Sequence, residues 1–356
     1  MLRPPARPSF LRVTLRVGLL ASGLACAAVA AAQDPVFSQF YAAPLLLNPA
    51  FAGTTYAPHV ALNHRSQNVG FAGGIPYQTY AASYGQYVAP IRSGIGLSLT
   101  GDDAGQGLIA SYAALAHYAY QVRVDDRRSI RLGLSAGAQH RRLDWDRLVF
   151  FDQLDAETGA SNGSGGVNPT REQRPAETSV TFADFGAGLL YAGPLAYAGL
   201  SLNHITTPDD RLANLGPGGF YRGLPMRWSV HAGLQIPFGS GVGRGSTRGF
   251  ATPSILYARQ GPAEQLNVGA YATTGLVFGG LWYRHAFGNA DAAIAVVGVE
   301  FQMYKLGYSY DLSVGPFAGA AGGSHELSLQ VNFDRAWWVE RRRSEQRYTD
   351  CLGLFR

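Results

Sequence analysis

The chain has 356 residues, 47% of them hydrophobic and only 15% charged, with 45 Gly, 19 Tyr and 18 Phe. That balance excludes a coiled coil, a disordered chain and a Lys/Glu-rich helical bundle. Four of the five net positive charges are carried by Arg3, Arg7, Arg12 and Arg16; beyond residue 32 the chain has 25 basic and 24 acidic residues, no electrostatic case for a nucleic-acid partner.

The first element is a processing signal. Residues 1–16 are basic, Val17 to Ala30 is an apolar run, and Ala30-Ala31-Ala32 is a small-residue cleavage pattern. We read 1–32 as a secretory signal peptide cleaved after Ala32. Cys26 raises a lipoprotein site as an alternative, but Gly23-Leu24-Ala25-Cys26 lacks the Leu expected three residues before such a Cys. After cleavage Cys351 is the one cysteine left, so no intramolecular disulfide and no cysteine metal cluster can form. Residues 33–56 follow as a separate segment. Phe37, Phe40, Tyr41, Leu45, Leu46, Leu47 and Phe51 make it too apolar to hang in water, and Asn48-Pro49 and Ala52-Gly53 are turn signals that bound it.

From residue 57 to 334 the apolar period is two. Ile130, Leu132, Leu134, Ala136 and Ala138 alternate with Arg131, Gly133, Ser135, Gly137 and Gln139. Trp228 to Ile236, Tyr304 to Tyr310 and Leu327 to Phe333 repeat the pattern. Strands are placed near 57–65, 78–88, 92–101, 108–124, 129–142, 179–191, 195–205, 226–238, 249–259, 265–273, 276–286, 292–301, 303–312 and 324–334.

Alternation suits a soluble sandwich or a membrane barrel. Three features favour the barrel. Many strands reach about 10 residues, enough to cross a bilayer at a tilt. The polar face is Gly- and Ser-rich with few charges. Connections after odd strands are mostly long and those after even strands mostly short, the pattern of outer loops and periplasmic turns. The Gly/Ser/Arg-rich stretch 239–248 breaks that rule as a long periplasmic turn. The fold expected is all-β: a transmembrane antiparallel up-and-down β-barrel of about 14 strands with an N-terminal periplasmic or plug segment. That segment, 33–56, is expected against or inside the lower, periplasmic opening, either as a plug or docking element for a periplasmic partner or merely as lumen packing. Residues 335–356 then form a periplasmic Arg-rich tail, with Trp337 and Trp338 at the aromatic belt and Arg341-Arg342-Arg343 facing an acidic partner, anionic lipid or solvent.

Several blocks carry a family resemblance. Gln33-Asp34-Pro35-Val36-Phe37-Ser38-Gln39-Phe40-Tyr41 and Leu45-Leu46-Leu47-Asn48-Pro49-Ala50-Phe51-Ala52-Gly53 open the mature chain; Gly307-Tyr308-Ser309-Tyr310-Asp311 and Gly323-Ser324-His325-Glu326-Leu327-Ser328-Leu329 close it. With weaker blocks between them, such as Phe182 to Gly188 and Tyr197 to His204, they resemble the PorP/SprF family of outer-membrane proteins of type IX secretion and gliding motility. The departures are Asn68, where the family often has an aromatic residue, the long loop 143–178 and the Arg-rich tail. The resemblance implies a barrel that is not an enzyme. It would sit among outer-membrane lipid, assist secretion or surface attachment of cargo or adhesins, and neighbour the periplasmic secretion ring or peptidoglycan-linked lipoproteins. The alternative is an outer-membrane channel for small or hydrophobic solutes.

No residue set earns a catalytic, metal or cofactor role. Asp311, Ser324, His325 and Glu326 tempt one toward a triad, but Ser324 and His325 are strand neighbours that point to opposite faces. A polar network fixing the closing hairpin is the preferred reading, with contact to a cargo or partner as the alternative. The eight His are scattered without ligand spacing. Asp102, Asp103, Asp209 and Asp210 read as solvated loop charges, and no Gly cluster is followed by the Lys-Ser/Thr of a phosphate loop.

Overall fold

The computed structural model describes residues 34–67, 77–105, 107–155, 159–160, 166–175, 177–210, 223–239, 249–287, 291–314, 322–335, 351–352 and 355. The expected signal peptide, residues 240–248, most of the Ser161–Gly166 tract and the Trp/Arg run of the tail fall outside them.

Among the described residues the strands are β1 (His59–Gln67), β2 (Tyr77–Val88), β3 (Ser93–Ala104), β4 (Ile109–Arg123), β5 (Ser129–Leu143), β6 (Ser179–Ala192), β7 (Ala196–Asn203), β8 (Arg227–Leu234), β9 (Ile236–Phe238), β10 (Gly249–Gln260), β11 (Ala263–Thr273), β12 (Val277–Phe287), β13 (Asp291–Phe301), β14 (Tyr304–Val314) and β15 (Ser324–Asn332). Among the described residues sequential neighbours other than β8 and β9 pair antiparallel, β1 pairs with β15, and β10 pairs with β8, β9 and β11, so the sheet closes on itself. A sandwich would leave edges; this is a closed barrel.

β8 and β9 are one stave. Gly233↔Ser254 and Ile236↔Ala251 share one register, so no residue is inserted between them. The ladder breaks where β10 carries Pro253, which has no N–H to donate. Counted this way the barrel has 14 staves.

The alternation sorts inside from outside as a membrane requires. Leu134 is 61% exposed and Leu281 71%, while Arg131 beside Leu132 is 4% exposed. Apolar side chains turn outward and Ser, Asn, Gln and charged residues turn inward, the inverse of a soluble protein and the pattern of a membrane barrel. The turns at 89–92, 124–128, 193–195, 274–276 and 302–303 share one end; the connections 68–76, 144–178 and 204–226 share the other. Long loops lie outside in barrels of this type, so the second is the outer end. Its connections at 261–262 and 288–290 are short, however, so the length rule holds only in part there.

Residues 34–56 lie within the barrel. They run as an irregular stretch from Asp34, a 3-10 turn at Phe40–Ala42, one helical turn α1 (Pro44–Leu47) and a second 3-10 turn at Pro49–Phe51. Pro44 and Pro49 each open a turn, where a missing N–H costs nothing. The Asn48 side chain caps the last turn by accepting the Ala50 N–H at 2.8 Å.

Candidate functional site in the lumen

The lumen has an upper polar tier and a lower apolar one. In the upper tier the inward positions of β1, β12, β14 and β15 bring together Arg65, Arg284, Asp311 and Glu326. Arg65 donates to Asp311 at 2.8 Å and to Glu326 at 3.1 Å, and Arg284 donates to Asp311 at 3.2 Å. Two cations and two carboxylates balance in a space closed to water, the condition under which buried charges are tolerated. Ser38 sits at their centre. Its hydroxyl accepts from Arg65 at 2.6 Å and Arg284 at 2.5 Å and donates to Asp311 at 2.5 Å. Its backbone N–H and that of Gln39 both donate to Glu326, at 2.7 and 3.0 Å. The Gln39 amide donates to Ser309 and to the Glu326 carbonyl and accepts from Ser328. Both N–H groups and both side chains of this dipeptide meet partners mounted on strands.

Above it, Asp34 is held at the outer ends of three strands. His204, which follows β7, lies 2.7 Å from Asp34 and 2.9 Å from Asp184. Arg227 lies 3.5 Å from Asp34, and the Asp34 N–H donates to Gln260 at 2.8 Å. Burial disfavours a charged imidazole, but Asp34 and Asp184 outweigh it and push His204 up to about 10. Burial likewise works against the Asp34 carboxylate; His204 and Arg227 outweigh it and hold the group well below the usual carboxylate range.

In the lower tier Phe40 and Tyr41 pack on Trp282, with Tyr41 stacked at 5.9 Å. Lys305 Nζ lies 5.4, 5.0 and 5.2 Å from the ring centres of Tyr41, Tyr271 and Phe278, a cation–π cage. The segment then crosses to β5–β7. Asn48 donates to the carbonyls of Leu189 and Leu200 at 3.1 Å each, and Arg131 donates to those of Ala50 and Ala52. Glycines on the wall permit this approach. A Cβ on Gly133 would lie 2.2 Å from Ala50 N, and one on Gly188 would lie 1.9 Å from Asn48 Oδ1. At the foot, Asp334 accepts from the N–H groups of Tyr56 and Ala57.

Phe37, Phe40, Tyr41, Leu45, Leu47, Asn48, Pro49 and Phe51 are buried, and Leu46 is half-buried. The expected position of the segment at the lower opening needs correction. It spans the lumen to the outer end, because Ser38 and Asp34 find their partners on the upper halves of the strands. Of the expected hairpin group, Asp311 and Glu326 face the lumen and join Arg65. Ser324 is buried on the inward side, whereas His325 points outward and bonds the Tyr308 hydroxyl at 2.7 Å. His325 is thus outside the lumenal network, as strand alternation dictates. The tail reading also changes: Cys351, Leu352 and Phe355 are buried, with Phe355 4.4 Å from Phe51 and 5.1 Å from Tyr197. Apolar groups that fit a cavity are withdrawn from water. Two acids expected as solvated loop charges are not: Asp210 is buried against Arg141, and Asp102 lies in β3 accepting from Thr79 at 2.6 Å. Sequence reasoning misses Arg65, Arg284 and Lys305 as site residues. The signal that could find them is their inward parity in strands that carry few charges.

A sequence model described as "Type IX secretion system membrane protein PorP/SprF" matches residues 29–331. The chain belongs to the PorP/SprF family. It is therefore a membrane barrel of a type IX secretion family. No curated protein matches the chain. Among solved structures, an engineered mutant of the Rh. blastica porin is 9% identical, with a TM-score of 0.33, over 77% of this chain and 99% of the porin. The CymD monoaromatic hydrocarbon channel is 11% identical, with a TM-score of 0.38, over 83% of this chain and 92% of the channel. Likenesses this low carry no functional argument.

In this PorP/SprF chain the lumen wall contacts the chain's own residues 34–52. That wall offers the Glu326 carboxylate to two main-chain N–H groups, the Asp311 carboxylate and two guanidinium groups to a hydroxyl, and aromatic rings to Phe40 and Tyr41. Among the described residues, no three His, Cys, Asp or Glu side chains group closely enough to hold a metal.

Proposed function

We propose that this barrel serves type IX secretion from the outer membrane as a closed, protein-binding component. It assists the secretion or surface attachment of cargo proteins or adhesins by protein–protein contacts, without enzymatic chemistry. Residues 1–32 are removed on export, and the periplasmic secretion ring or peptidoglycan-linked lipoproteins contact the lower rim. Lipid covers the apolar outer wall. One observation supports this reading over a solute channel: the lumen holds residues 34–56, tied to the wall from Asp34 at the outer end to Ala57 at the inner. A permeating solute would need the space these residues take.

The test is affinity capture of the mature barrel from detergent-solubilised outer membranes, with and without residues 33–53. Recovery of ring lipoproteins or a large surface protein with the intact barrel supports the reading, and its loss on deletion assigns docking to the segment. An intact folded barrel that captures nothing and conducts ions in a planar bilayer overturns it.

A further inference from the structure

The lumenal segment has two limbs of different character. Asp34 to Gln39 lacks regular structure and, apart from the buried Phe37, is held by polar bonds to strand side chains. Phe40 to Ala52 is turned and is held largely by apolar packing. Polar bonds to a rigid wall can be remade by any peptide with the same groups, whereas the packed lower limb has no ready substitute. The upper wall is also not used up. Arg65 Nε and Asp311 Oδ1 are buried without a hydrogen-bond partner among the described residues. Its four charges cancel, so it asks no charge of its ligand at that point.

We propose that the upper lumen, formed by Arg65, Arg284, Asp311 and Glu326, is a peptide-binding site, and that Ser38-Gln39 is its built-in occupant. The ligand is a peptide with two consecutive free main-chain N–H groups and a hydroxyl side chain on the first. Such a peptide takes the place of residues 34–39 while Phe40 and Tyr41 keep the floor shut. The site gives chemical definition to the protein contacts proposed above and rests on that reading.

Two experiments test it with a synthetic peptide of sequence DPVFSQF, copied from Asp34 to Phe40. In the first, a mature barrel lacking residues 34–39 is titrated with labelled peptide in micelles, its folding checked by heat-dependent gel mobility. Saturable binding is expected, weakened roughly tenfold or more when the peptide carries Ser38→Ala or an N-methyl group at Gln39. In the second, the full-length mature barrel carries a nitroxide on Val36→Cys, Cys351 being buried. Excess peptide should raise the mobile fraction of the spin label, and the N-methylated peptide should not. This arm decides the matter if the shortened barrel does not fold. A folded shortened barrel that ignores the peptide, equal binding of the N-methylated peptide, or an unmoved nitroxide at saturating peptide each overturns the site. Capture of secretion partners by the intact barrel is read separately, so the site can fail while the secretion role stands.

Discussion

Glu326 and Ser38 are 288 residues apart in the chain, yet a Glu326 carboxylate oxygen accepts the Ser38 backbone N–H at 2.7 Å. The closing strand thus holds the upper limb of the lumenal segment. The carboxylate is balanced by Arg65, which also serves Asp311.

Arg65→Met should therefore destabilise the barrel by about 3 kcal/mol, because two buried carboxylates lose a cation. Adding Glu326→Gln should recover part of that loss, since one charge of each sign is then gone. Urea unfolding in micelles, followed by gel mobility, measures both. A double variant as unstable as the sum of the singles would show that the pair is not coupled.

Gly133→Val and Gly188→Val should expel the lumenal segment from the β5–β6 wall, because the new side chains collide with Ala50 and Asn48. The expected result is ion conductance in planar bilayers where the parent barrel is silent. Leu134→Val, on the lipid face, should leave the barrel closed. Silence in the glycine variants, with folding intact, would mean that the segment does not seal the lumen.

The Asp34–His204 contact sets a pH window. The raised His204 contributes fully below pH 6.5 and loses its contribution as pH climbs through about 10. The lowered Asp34 contributes above pH 3.8 and loses its contribution as pH falls below that value. A nitroxide on Val36→Cys should be immobile between those limits and gain mobility at both extremes. His204→Asn should abolish the alkaline transition; a transition that persists would place its origin elsewhere.

Phe355→Ala should cost about 3 kcal/mol of barrel stability, because the ring fills a buried site against Phe51 and Tyr197. Urea unfolding reads the effect. A change within error would show that the tail end lies outside the folded core in solution.

Much of the barrel is legible in the amino-acid sequence alone. The two-residue period through Ile130–Gln139 and Tyr304–Asp311 places strands and tells the lipid face from the lumen, because hydrophobic alternation is local. The break at Gln235 is not legible, since it arises from Pro253 on the neighbouring strand. Nor is the direction of the lumenal segment. Phe37 to Phe51 announce burial by apolarity alone, but the partners of Ser38 and Asp34 lie on distant strands that no local pattern links. The inward parity of Arg65, Asp311 and Glu326 is visible, and a search for charge balance among inward positions would group them.

Lys305 is the chain's single lysine, every other basic side chain being Arg or His, and it is buried in a cage of three rings. The folded protein therefore shows amine-reactive reagents almost nothing but its α-amino group. Acylation at Lys305 becomes a built-in gauge: its rate, read by mass spectrometry, counts the openings of the floor.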